Sequence, residues 1–134
     1  MRRAWIAAVL LLGAVGCGTA AREAAPSHCV VRVFFCTLNT CGSAASKAEI
    51  ATLSRRLGGA RDVYSVRFVS KREAFELMKK RFPDETATLA SNPFPDSLRV
   101  RPVKGVAPAR IAAEIHGRSD GVQLVNLPRA ADCG

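Results

Sequence analysis

Apolar residues recur along this chain at two different spacings, which predict strands and helices in an ordered series. Short runs rich in β-branched and aromatic residues, or with strict alternation, predict strands. Apolar residues three or four positions apart, such as Ile50, Leu53 and Leu57, predict a helix. The predicted strands are 30–35, 63–69, 98–102 and 122–127.

Two serines mark the predicted starts of helices. Ser46 precedes Glu49, and Ser70 precedes Glu73, at the spacing of a capping box. Pro83 is expected to end the second of these helices, because proline cannot continue a helix from its interior. A third helix is predicted before the last strand.

The resulting order is strand, helix, strand, helical insert, strand, helix, strand, which predicts an α+β fold. The two halves are similar, since residues 61–66 resemble residues 120–125 and each segment leads from a predicted helix into a predicted strand. Two βαβ units in one small domain predict a ferredoxin-like split βαβ sandwich, with a small helical lobe inserted between the two βαβ halves. The first and last strands are expected to be antiparallel neighbours.

The first 16 residues have the pattern of a secretory signal peptide. Arg2 and Arg3 precede an apolar run, residues 4–16, that is too short to span a bilayer as a permanent helix. The segment Ala14-Val15-Gly16-Cys17 is similar to the lipobox of bacterial lipoproteins, in which the cysteine thiol carries a lipid.

This similarity leads to a division of the chain into three parts. Residues 1–16 are predicted to be the signal peptide, residues 17–28 a flexible tether anchored by lipid at Cys17, and residues 29–134 the folded domain. The expected location is the extracytoplasmic face of a membrane. The alternative is an ordinary signal cleaved nearby, which would leave a secreted protein.

The remaining cysteines predict disulfides, because an exported protein folds in an oxidising compartment. If Cys17 is acylated, four cysteines are left, and four allow three pairings. Cys36 and Cys41 enclose only four residues and form the natural local pair. The pair that is then left, Cys29 and Cys133, would tie together the two ends of the domain.

No motif predicts an enzyme, a cofactor or a metal centre. The chain has no Gly-x-Ser-x-Gly, no His-Glu-x-x-His and no phosphate-binding glycine loop. One chemical alternative is an exported thiol-active or metal-binding site at Cys36 and Cys41, assisted by His28 or His116. Against it, the spacing is not Cys-x-x-Cys, and the histidines are far apart in sequence.

The charge balance favours anionic partners. Lys and Arg number 20 against 11 Asp and Glu, for a formal net charge of +9. Nucleic acid is not expected for an exported protein, so a basic scaffold would bind anionic wall polymer or lipid headgroups. The alternative is an arginine-rich composition whose charges are simply solvated.

Four segments, residues 31–35, 63–74, 92–100 and 121–125, occur in this order along the chain. The most specific begins with Asn92-Pro93-Phe94-Pro95, which is also predicted to form a rigid turn between two lobes. Together the four segments resemble the extracellular domain of FtsX, the permease-like cell-division protein of bacteria.

The resemblance implies a partner and a contact surface. In that family a small helical lobe, similar in placement to residues 70–91 here, docks peptidoglycan hydrolases or their activators. Carried over to this chain, the contact residues would be Phe75, Leu77, Met78 and Phe82. Alternatively these side chains form the core of the small lobe. We expect Leu77 and one phenylalanine to face inward and the others outward, with Phe75 as the first candidate for contact.

One departure from the family changes the expected role. A family member has membrane-spanning helices on both sides of this domain, whereas nothing after Leu127 is apolar enough to span a membrane. We therefore expect a free-standing module on a lipid tether. Such a module would present a hydrolase at the membrane surface, compete with full-length FtsX, or have a role unrelated to division.

Overall fold

The computed structural model describes residues 24–133 of the chain. The predicted signal peptide and Cys17 lie outside the described residues. Within this range the chain forms four strands and five α-helices, with two short 3-10 turns at 117–120 and 130–133. In chain order the main elements are β1 (Val31–Phe35), α1 (Leu38–Cys41), α2 (Lys47–Gly58), β2 (Val63–Val69), α3 (Lys71–Arg81), α4 (Pro83–Ala87), β3 (Ser97–Pro102), α5 (Pro108–Ala113) and β4 (Val122–Asn126).

The strands form one antiparallel sheet with the order β2-β3-β1-β4. The first and last strands are neighbours, with Val33 opposite Val125 and Phe34 opposite Leu124. The predicted α+β class with a single antiparallel sheet is therefore confirmed.

One face of the sheet packs against α2 and α5 and forms the core of a large lobe. Leu53 and Leu57 of α2 and Ile111 of α5 lie on this face and are almost fully buried. Burial of one such side chain contributes about 1.5–3 kcal/mol. The core consists of Val31, Val33, Phe35, Leu53, Leu57, Val63, Leu98, Val100, Ile111 and Val122.

The two predicted capping boxes have different outcomes. At α2 the box is complete, since Ser46 Oγ accepts from Glu49 N at 3.1 Å and Glu49 accepts from Ser46 N at 2.7 Å. At α3 Ser70 Oγ accepts from Glu73 N at 3.1 Å, but the Glu73 carboxylate pairs with Arg67 instead of returning to Ser70. The second prediction is therefore only half right, because a cation on β2 competes for the carboxylate.

The fold begins earlier than the predicted tether allowed. Lys104 N donates to Ala25 O at 2.9 Å, and Ser27 N donates to Pro102 O at 2.9 Å. These bonds hold the chain before β1 against the end of β3. Residues 17–28 therefore do not all form a flexible tether, because the part from Ala25 onward is bonded to the sheet.

An ion pair joins α2 to the turn before β4. Arg56 donates to both carboxylate oxygens of Asp120, at 3.0 and 2.6 Å, and also to Glu114 O at 2.9 Å. His116 N donates to Asp120 at 2.6 Å. The hydrogen bond from Arg56, together with the one from His116, holds the pKa of Asp120 below its usual value.

Candidate functional site

Most residues of the small lobe, residues 70–91, are exposed. No residue of α3 is buried, and Thr86 is the buried residue of α4. Thr86 Oγ1 donates to Phe82 O and Pro83 O at 2.9 and 3.0 Å, which satisfies its hydroxyl locally. The lobe therefore has no apolar core comparable to that of the large lobe.

Three large apolar side chains of this lobe are exposed. Leu77 is 51% exposed and Phe82 is 40% exposed, and Leu89 is 41% exposed. We call these three the small-lobe apolar residues. The sequence analysis did not single out Leu89, which lies after the end of α4 at Ala87.

Phe75 lies between α3 and the segment that follows the small lobe. Its ring lies 6.2 Å from the ring of Phe94, centroid to centroid, at an interplanar angle of 46°. Lys79 Nζ lies 4.6 Å from the ring centroid, within the range of a cation–π contact. Phe75 is thus half-buried and holds α3 against the turn that follows the small lobe.

The expected orientation of Leu77 was wrong. It was predicted to face inward with one phenylalanine, but it lies outside because α3 has no sheet beneath it at that point. Met78 is half-buried, Phe82 is exposed, and Phe75 is the inward phenylalanine. The role of these residues in binding a partner stays a prediction.

Hydrogen bonds join the segment 92–95 to the start of α3. Asn92 Nδ2 donates to Lys71 O at 2.8 Å, and Phe94 N donates to Asn92 Oδ1 at 2.9 Å. Lys71 N donates to Asp96 Oδ1 at 2.7 Å. Pro93 and Pro95 restrict the backbone between these bonds. These bonds hold the segment beside the start of α3, and its role as a rigid turn between the lobes stays a prediction.

A groove of about 520 Å³ separates the first half of α2 from the start of α3. Its apolar wall includes Ile50, Ala51 and Phe68, and its rim carries Lys47 and Lys71. Phe68 lies opposite Leu98 in the sheet, on the core face, yet it is 44% exposed. Sequence alternation placed Phe68 on the correct face, but it could not show that α2 leaves this end of β2 uncovered.

The structure joins the four described cysteines in pairs. Cys36 is bonded to Cys41, with Cα atoms 5.5 Å apart, and Cys29 to Cys133, with Cα atoms 4.6 Å apart. Both separations are in the ordinary range for disulfides. The second bond connects the residue before β1 to the turn after β4, so it closes nearly the whole domain.

Neither a metal site nor a membrane span is found in the part of the chain that the structure describes. Residues 24–133 contain no group of three or more His, Cys, Asp or Glu side chains placed to hold a metal ion. No helix in the same range is long and apolar enough to cross a bilayer.

Comparison with known proteins identifies the family. The family model of the FtsX extracellular domain matches residues 28–131. A solution structure of the large extracellular loop of FtsX in Streptococcus pneumoniae is 20% identical, covering 72% of this chain and 96% of that one, with a TM-score of 0.49. A crystal structure of FtsX extracellular domain 1 from the same species, in complex with undecyl-maltoside, is 21% identical. It covers 72% of this chain and 91% of that one, with a TM-score of 0.47.

No curated protein matches the chain. The family match covers most of the sequence and includes both lobes and all four strands. The description of the family as an extracellular domain supports an extracytoplasmic interaction module. The chain therefore belongs to the FtsX extracellular domain family.

Proposed function

We propose that this chain is a non-enzymatic interaction module that docks a peptidoglycan hydrolase, or its activator, through the small-lobe apolar residues. The observation that carries the proposal is the exposure of Leu77, Phe82 and Leu89 on a lobe in which α3 buries no residue. Apolar side chains left in water on an ordered surface are typical of binding sites. Family membership supports the choice of partner.

The charges near these residues indicate the character of the partner surface. Lys79, Lys80 and Arg81 form the last turn of α3, and the Arg81 guanidinium lies 5.8 Å from the ring centroid of Phe82. Acidic side chains are also present, because Lys79 is paired with Glu76 and the first turn of α4 carries Asp84 and Glu85. Charges of both signs around an apolar centre favour a partner with an apolar anchor and a rim of mixed charge. The charged rim would act mainly on the rate of association and on its salt dependence.

The proposal includes attachment to the membrane by lipid at Cys17. The tether between Cys17 and the first bonded residue, Ala25, would then keep the small lobe close to the membrane surface. Cys17→Ser in the full chain should release the protein from the membrane fraction in cells. Its retention there would contradict the anchor without affecting the docking proposal.

Affinity recovery from a native cell-envelope extract tests the docking. The bait is the chain from residue 18, which contains every core residue and both disulfides. We expect mass spectrometry to find a peptidoglycan hydrolase or its activator on this bait. The double variant Leu77→Ser, Phe82→Ser should lose it. Phe75 is left unchanged because it holds the turn through Phe94.

A matched control comes from the sheet. Leu124 of β4 is 53% exposed, nearly the same as Leu77, and β4 is the edge of the sheet opposite to β2, the strand that leads into the small lobe. Leu124→Ser therefore removes the same side chain at the same exposure, and it should leave the recovered hydrolase unchanged. Loss of the hydrolase with Leu124→Ser, or its retention by the double variant, would contradict docking through the small lobe.

A further inference from the structure

The sheet face opposite α2 and α5, which we call the open face, carries a row of arginines. Arg67 of β2 is directly opposite Arg99 of β3, and Arg99 is directly opposite Arg32 of β1. Arg101 follows on β3, two residues along the same face. All four are exposed. Since adjacent strands lie about 4.8 Å apart, these cations are concentrated on a small area of the sheet.

This arrangement works against the stability of the sheet. Like charges directly opposite each other on neighbouring strands destabilise the pairing. The Glu73 carboxylate pairs with Arg67, but Arg32, Arg99 and Arg101 form no ion pair with any residue between 24 and 133. A surface that works against its own fold in this way is typical of a binding site, where an anionic ligand offsets the repulsion.

Short side chains among the arginines leave a depression of about 250 Å³. Ser65 lies opposite Arg101 in the sheet, and its small side chain leaves space beside the longer guanidinium. A phosphate group there could receive paired hydrogen bonds from guanidinium groups and a further one from the serine hydroxyl. The depression is lined by Val30, Ser65, Arg67, Arg99 and Arg101.

A second depression, of about 170 Å³, adjoins the first. The two share Val30, so they lie side by side across the sheet. Arg32 and Asn126 supply cationic and amide donors in the second one, and they are directly opposite each other on β1 and β4. Two adjoining donor-lined depressions suit consecutive anionic groups on one chain better than a single ion.

The residues that line the two depressions also limit which kind of molecule can carry the anionic groups. Neither depression is lined by an aromatic side chain, whereas proteins that bind single-stranded nucleic acid stack the bases on such side chains. Because the donors surround recesses, a flexible chain fits them better than a flat bilayer does. We infer that the open face binds a linear polyol-phosphate polymer of the cell envelope, with successive phosphates in the two depressions.

Binding of a synthetic glycerol-phosphate oligomer, followed by calorimetry, tests this inference on the chain from residue 18. We expect binding that weakens as salt is added, because the contacts are between charges. Arg99→Gln combined with Arg101→Gln should lower the affinity about tenfold or more, through loss of charge-assisted hydrogen bonds. Failure of the unsubstituted chain to bind the oligomer would overturn the inference.

The control removes the same charge elsewhere. Arg61 and Arg118 are exposed, lie outside the strands, and form no ion pair within residues 24–133. Their double change to Gln should leave the affinity nearly unchanged. An equal loss with this control would show that only net charge matters. Vesicles containing phosphatidylglycerol, if bound when the oligomer is not, would assign the face to the membrane instead.

Stability supplies a second readout that does not depend on the ligand. Because Arg99 repels both of its cross-strand neighbours, Arg99→Gln should unfold at the same temperature as the unsubstituted protein or at a higher one. A clear decrease in unfolding temperature would show that the arginines support the sheet, and it would remove the argument for a ligand.

Discussion

The helices α2 and α3 have similar sequences at their starts and different surroundings. Each helix begins directly after a capping serine and has a glutamate three residues after that serine. Each also has apolar residues at helical spacing. In α2 those residues include Leu53 and Leu57, which are buried against the sheet, whereas α3 buries none. Helical periodicity therefore predicts that a segment is a helix, but the neighbouring elements decide what its apolar side covers.

The two lobes differ in what stabilises them. The large lobe contains the core, the ion pair between Arg56 and Asp120, and the bond between Cys29 and Cys133. The small lobe is held by hydrogen bonds and by the contact of Phe75 with Phe94, so it contributes little to global stability. A region with few buried apolar contacts is also a region that can open locally or accept a partner at low cost.

The largest effect is expected from the bond that closes the large lobe. Changing Cys29 and Cys133 to Ser should lower the free energy of unfolding by about 4–5 kcal/mol in the chain-entropy model, because the bond closes a loop of more than a hundred residues. The same change at Cys36 and Cys41 should cost about 2 kcal/mol, since that loop is short. Urea unfolding measures both. Equal losses would show that loop length does not control these contributions.

The next largest effect is expected when one leucine of α2 and one of α3 are each changed to alanine, which tests the comparison of the two helices directly. Leu57→Ala in α2 should lower the free energy of unfolding by about 2–5 kcal/mol, because the side chain is fully buried and leaves a cavity. Leu77→Ala in α3 should change it by no more than about 0.5 kcal/mol, because half of the side chain is already exposed. A loss at Leu77 similar to that at Leu57 would mean that the small lobe has a core of its own.

Sequence reasoning could predict the elements that depend on local signals. The strand Val63–Val69 and the cap at Ser46 match the structure because alternation and capping act over a few neighbouring residues. The family was also recognisable from its segments, above all from the one that begins at Asn92. These features need no knowledge of which strands are paired.

The features that were missed depend on contacts distant in sequence. The row formed by Arg32, Arg67 and Arg99 appears only when the register of three strands is known, and a shift of one residue would separate these side chains. The exposure of Leu77 could not be predicted either, because it depends on the absence of a layer beneath α3. The small lobe was thus predictable as a helical region, but the orientation of its side chains was not.

The smallest effect is expected from the ion pairs of the two regions. Asp120→Asn should lower the free energy of unfolding at neutral pH by about 1–2 kcal/mol, because Asp120 is buried and its hydrogen bonds with Arg56 are weakened. The loss is limited because Arg56 is one-third exposed, so water partly screens its charge. Glu73→Gln breaks the pair with Arg67, in which both side chains are exposed. It should change the free energy of unfolding by no more than about 0.5 kcal/mol.

The pH dependence of the free energy of unfolding shows whether Asp120 stabilises the fold through its charge or through packing alone. Because the pKa of Asp120 is lower in the folded than in the unfolded protein, its charge stabilises the fold at pH values above the unfolded pKa. That contribution is lost as the pH falls through the folded pKa. The difference in unfolding free energy between the unsubstituted protein and Asp120→Asn should therefore shrink in acid. A difference that stays constant from neutral to acid pH would show that Asp120 acts through hydrogen bonds that do not require its charge.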